Sequence, residues 1–179
     1  MRDIETLIRT FYIVFCRFST KQSKFEDIAN VLECESVAFR SINEVHWLLR
    51  HFALTALIHN YDPLLKYFEG DKSNDSVSKY CYKMLNKLEI RINLEILNNV
   101  LSALASLCLL FQKRCLTPLD VYNLTRGKMN KIRNQYLCDE VVWDENVKAL
   151  LERNGQENNQ VDTRSILAFI QSLCGYLDR

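Results

Sequence analysis

Apolar residues recur at three- and four-residue intervals along most of the chain, the spacing of helices with one buried face. Ile4, Leu7, Ile8, Phe11, Tyr12 and Phe15 trace the first such face and predict a helix ending near Phe18. Ser19 or Thr20 is placed to cap a second helix that turns Phe25, Ile28, Ala29 and Leu32 inward. A long helix is predicted from about Trp47 to Phe68, broken or kinked at Pro63, which lacks a backbone donor. Two more follow over roughly Val77 to Leu88 and Ile92 to Gln112, after the loop that starts at Gly70. The second of them is apolar around most of its surface, as the central helix of a bundle must be.

The run Thr117-Pro118-Leu119-Asp120 has the chemistry of a helix start. A hydroxyl can cap, Pro118 sits where no donor is lost, and Asp120 faces the positive end of the helix dipole. Val121, Leu124, Met129 and Ile132 line that helix. Another is expected from Trp143 to Leu151, stopping near Asn154 and Gly155. After the polar loop Gln156 to Gln160, Asp162 is placed to cap a last helix carrying Ile166, Leu167, Phe169, Ile170, Leu173 and Leu177. Only Ser36 to Ile42 has strand character, with Val37, Phe39 and Ser41 on one side and Ala38, Arg40 and Ile42 on the other. Nothing else in the chain is ready to pair with it, and a lone strand leaves its backbone groups unsatisfied. Either the stretch is irregular or its sheet lies outside this chain. The expected fold class is mainly α: a bundle of about seven or eight helices with at most one short strand.

Composition narrows this reading. The 179 residues are 48% hydrophobic, enough for a sizeable core, and four glycines with two prolines are too few for an all-β fold. Lys and Arg number 23 against 22 acidic residues, so the chain has no overall basic field and only a local patch could meet nucleic acid. Seven cysteines, an odd number without a Cys-x-x-Cys, are expected as buried free thiols in a reducing compartment. No Cys/His spacing suits zinc. The start, Met1-Arg-Asp-Ile-Glu, is charged where a signal peptide is apolar. Leu94 to Phe111 includes Glu95, Asn98, Asn99, Ser102 and Ser106, so a buried bundle helix is expected there rather than a membrane span. The expectation is an intracellular, soluble protein with no membrane partner.

Candidate chemistry is sparse. His46 and Arg50, and Trp47 and His51, stand four apart, but no ligand-spaced carboxylate joins them; packing at the base of a helix is the expected role rather than a metal site. Glu33, Glu35 and Glu44 flank the strand-like stretch. A two-metal nuclease needs carboxylates converging from several strand ends to hold ions about 4 Å apart, which one strand cannot supply. No catalytic residue, metal, cofactor or small-molecule substrate is therefore expected. Asp139, Glu140, Asp144 and Glu145 read as solvated helix-end charges. Arg126, Lys128, Lys131 and Arg133 cluster within one helix, as phosphate contacts or as an ordinary solvated face.

Three segments, Phe25 to Glu33, Val45 to His51 and Leu57 to Glu69, follow in an order that resembles the hAT superfamily of DNA transposases. The resemblance is closest to the domesticated, zinc-finger-associated hAT-derived proteins of animals. In that family a short helix precedes a strand, then an Arg-Trp motif, then a helix ending in a Tyr-Pro-Ala-Leu-Leu step. The run Leu107 to Val121 is similar to a later family element built on Phe-Gln and Asp-Val. The resemblance spans about residues 5 to 135. It implies an RNase H-like catalytic domain interrupted by a large helical insertion. Residues 1–44 would be a remnant of that core, with two helices and a short strand, and residues 45–179 an insertion-like bundle. The family's first two catalytic aspartates lie upstream of the Arg-Trp motif, the third acidic residue has no match, and no BED-type zinc finger is present, so the resemblance implies an inactive derivative. Trp47 matches the motif tryptophan, which lies against DNA in active relatives; His46 stands in place of the arginine, and Leu49 in place of a small polar residue. The partners so implied are DNA or a protein bound to the helical surface, in the nucleus.

Overall fold

The computed structural model describes residues 2–40, 47–71, 75–112, 115–154 and 161–177. Among these the chain is mainly helical, with nine α-helices and no strand. They form two compact units, Arg2–Leu94 and Glu95–Arg179.

The first unit holds α1 (Arg2–Arg17), α2 (Ser19–Val31), α3 (Trp47–His59), α4 (Tyr61–Asp71), α5 (Ser76–Leu85) and the start of α6 (Leu88–Phe111). In α1 the predicted face is the buried one: Ile4, Leu7, Ile8, Phe11 and Phe15 are all core. Phe15 is the hub of an aromatic cluster. Its ring centroid lies 4.9 Å from Phe25 and Phe39, 5.2 Å from Tyr67 and 6.0 Å from Phe68. The tilted and edge-on geometries among them suit ring quadrupoles. Tyr61 is buried at the start of α4, where its hydroxyl donates to the Leu85 carbonyl and Arg91 lies over its ring at 4.6 Å. Burial pushes its phenol up to about 12. Asp75 caps α5 by accepting from the Ser78 N–H at 2.6 Å, and that bond holds its carboxyl below the ordinary range.

Four expectations change here. The long helix breaks at Asn60, not Pro63. The Asn60 N–H closes α3 on Ala56 and its carbonyl opens α4 from Leu64. Pro63 falls in the first turn of α4, where a helix has no use for its N–H. The second helix is capped by neither Ser19 nor Thr20: Phe18 holds the extended N-cap position, without a side-chain bond, and Ser19 is already helical. The strand-like stretch forms no strand over residues 34–40, because its partner is the Asn60 side chain rather than another strand; Ser41 and Ile42 lie outside the described residues. Finally, the thiols are all free but mostly not buried. Cys81 and Cys174 are buried, Cys34 and Cys108 partly so, and Cys16, Cys115 and Cys138 are exposed. Apolar neighbours in sequence do not fix which way a helical residue turns.

The second unit takes the rest of α6 with α7 (Pro118–Tyr136), α8 (Glu145–Arg153) and α9 (Arg164–Leu177). α6 is long and apolar enough to cross a membrane by length and composition, and half of its most apolar window is buried inside the protein. The predicted start of α7 is a reciprocal capping box: Thr117 Oγ1 accepts from the Asp120 N–H and Asp120 Oδ2 accepts from the Thr117 N–H. Asp144 caps α8, accepting from Val147 N–H at 2.9 Å. Before α9, Asp162 accepts from both the backbone and the guanidinium of Arg164.

Candidate nucleic-acid interface

The four cations of α7 do not form one patch. A residue turns about 100° around a helix axis, so Arg126 and Arg133, seven apart, share a face. Lys128 and Lys131, three apart, share nearly the opposite one. The Arg face is partly occupied. Arg126 donates to the Tyr122 hydroxyl at 2.9 Å and lies 5.8 Å from its ring centroid. Arg133, half-buried, donates to the Cys174 carbonyl of α9 at 3.4 Å. Both guanidiniums are thus tied to their own unit.

The Lys face opens on a cleft of about 340 Å³. Lys128, Lys131 and Gln135 line it from α7, with Asn99, Ser102 and Ser106 from α6, and Tyr136 and Asp144 complete it. The spacing 128, 131, 135 is a single helical stripe. Neither lysine makes a hydrogen bond or ion pair among the described residues. The one carboxylate in the cleft is already engaged: Oδ1 of Asp144 accepts from Val147 N–H, and Oδ2 accepts from the Asn99 amide. Tyr136 is 2% exposed, and its hydroxyl accepts from Gln135 at 3.2 Å and Asn99 at 3.5 Å. Burial raises its phenol to about 12, so it stays a neutral O–H that can donate into the cleft. Two ammonium groups, amides and hydroxyls therefore line the cleft beside one hydrogen-bonded carboxylate, and the remaining net positive charge suits a phosphate or carboxylate. A second cleft in the unit, about 570 Å³ beside Trp143 and Leu167, carries exposed Asp139 and Glu140 and would repel an anion.

Sequence reasoning named Lys128 and Lys131 but missed Asn99, Gln135, Tyr136 and Asp144. Gln135 was legible as the next step of the lysine stripe. Asn99 and Asp144 are 45 residues apart, and no local pattern joins them. Trp47 opens α3, while its side chain, like His46 and Glu44, lies outside the described residues. His51 is half-buried with its ring 6.0 Å from Phe52, a packing position. Among the described residues no three His, Cys, Asp or Glu side chains are grouped to hold a metal ion. No protein-family model, no curated protein and no solved structure matches the chain.

Proposed function

We infer that this chain is a non-catalytic helical module, derived from a hAT-type transposase, that contacts nucleic-acid phosphates through Lys128 and Lys131. The observation that carries the reading is the pair of ammonium groups, without a hydrogen bond or ion pair among the described residues, on a cleft where a single carboxylate, bonded to Asn99 and capping α8, leaves a net positive charge. The family part rests on the order and spacing of the motifs around Trp47 and on the mainly helical chain that follows, as an insertion into an RNase H-like core would be. Nuclear residence and the lack of strand cleavage belong to the same reading. Backbone contact of this kind is independent of base sequence.

The test is fluorescence anisotropy with a labelled 20-base-pair duplex at several salt concentrations. Two phosphate contacts give a slope of about −1.8 in log K against log salt, roughly a twelvefold loss between 50 and 200 mM. Lys128→Gln with Lys131→Gln should flatten the slope by that amount, while Arg126→Gln, on the opposite face, leaves most of it. Absence of binding at 50 mM salt, or an unchanged slope in the double variant, refutes the nucleic-acid role and leaves a helical scaffold for a protein partner.

A further inference from the structure

The segment 34–40 lies in neither helix nor strand, yet part of its backbone is held by side chains of its own unit. Asn60 is 1% exposed, and its amide takes both polar groups of Val37: Oδ1 accepts from the Val37 N–H at 3.0 Å and Nδ2 donates to the Val37 carbonyl at 2.6 Å. The N–H and C=O of one residue point the same way in extended backbone, and successive residues alternate sides. Two residues to either side the pattern continues. His59 Nε2 lies 2.7 Å from the Glu35 carbonyl, and the Cys16 thiol donates to the Phe39 carbonyl at 3.6 Å. Val37 thus spends both backbone groups on its own unit, and Glu35 and Phe39 spend their carbonyls. Ser36, Ala38 and Arg40 are exposed, and their N–H and C=O groups make no hydrogen bond among the described residues.

A groove of about 160 Å³ runs beside the same stretch, walled by Phe15, Phe25 and Phe39 and edged by Glu26. Its size suits one apolar side chain. Glu26, Glu33 and Glu35 are exposed carboxylates without a cationic partner among the described residues. We propose that segment 34–40 is an open strand edge that docks an extended segment of a protein partner, bearing an apolar side chain for the groove and an adjacent Lys or Arg for Glu26 and Glu35. The unpaired N–H and C=O groups of Ser36, Ala38 and Arg40, two residues apart, are matched by another extended backbone, which supplies affinity, while the groove and the carboxylates supply specificity. The docking does not depend on the nucleic-acid reading, since the two involve different units.

The probe is a panel of fluorescent hexapeptides with Leu, Ile, Val, Phe, Met or Ala at a central position, flanked by Lys or by Glu, each also made with alternate backbone nitrogens methylated. Lys-flanked peptides with a large apolar centre should bind at least tenfold more tightly than the Ala-centred, Glu-flanked or N-methylated versions. On binding, amide exchange at Ser36, Ala38 and Arg40 should slow at least tenfold, with Val37 unchanged because Asn60 already holds it. Ala38→Pro, which removes the central N–H, should abolish the effect. Glu26→Lys leaves the edge intact and should reverse the preference toward Glu-flanked peptides. The proposal is overturned if no panel member binds at 1 mM, if protection appears elsewhere, or if the edge proves to be buried in a dimer of the chain that Ala38→Pro dissociates.

Discussion

Replacing Asn60 by Ala removes one side chain and cuts two bonds across 23 residues of sequence. A neutral hydrogen bond contributes about 1 kcal/mol net, and a buried polar group left unpaired costs about 1–3 kcal/mol. Val37 is 38% exposed, so water can reach part of what Asn60 abandons, which favours the lower end. The expected loss is about 2 kcal/mol, two bonds' worth. With a urea dependence of about 2 kcal/mol per molar, the unfolding midpoint falls by about 1 M. Asn60→Asp keeps the acceptor for the Val37 N–H but sets a carboxylate against the Val37 carbonyl, so it should cost at least as much despite its similar size. The readouts are urea unfolding followed by circular dichroism, and amide exchange of Val37, which should accelerate in the Ala variant. An unchanged midpoint with unchanged Val37 protection would show that Asn60 does not hold the segment, and the placement of residues 34–40 would lose its stated cause.

Phe15→Ala removes the hub of the aromatic cluster and should cost about 3–5 kcal/mol, whereas Phe15→Leu, which refills most of the space, should cost well under half as much. Equal urea midpoints for the two variants would count against a close-packed cluster. Asp162 is held down to about 2, first by the Arg164 guanidinium and then by the Arg164 backbone N–H. Its folded value lies below the ordinary carboxylate value of about 3.9, so its contribution to stability is complete above that value and is lost as pH falls through about 2. Carboxyl-detected NMR titration should find it there, and Arg164→Ala should raise it part of the way to the ordinary range, because the backbone N–H at position 164 remains; an Asp162 that titrates near 4 in the unaltered chain would contradict the pairing.

What could be read in advance was local. The inward face of α1, the capping box at Thr117 and Asp120 and the apolar girth of α6 each follow from residues within a turn or two of one another. The division of the α7 cations into two faces was also implicit, because helical rotation alone separates Arg126 from Lys128. The break in the long helix was misplaced because proline is disruptive only where its N–H would be needed, and Pro63 stands in a first turn where it is not. A buried asparagine sends no comparable signal.

The sequence by itself determined the helices, for a helix is built from hydrogen bonds four residues apart and a face repeated every turn. The tertiary structure decided the rest: that Asn60 serves as the missing strand for Val37, that Asn99 crosses 45 residues to occupy Asp144, and that Lys128 and Lys131 share a cleft with that single carboxylate and make no ion pair among the described residues. Such bonds depend on which surfaces meet once the chain has folded back, and no periodicity records that.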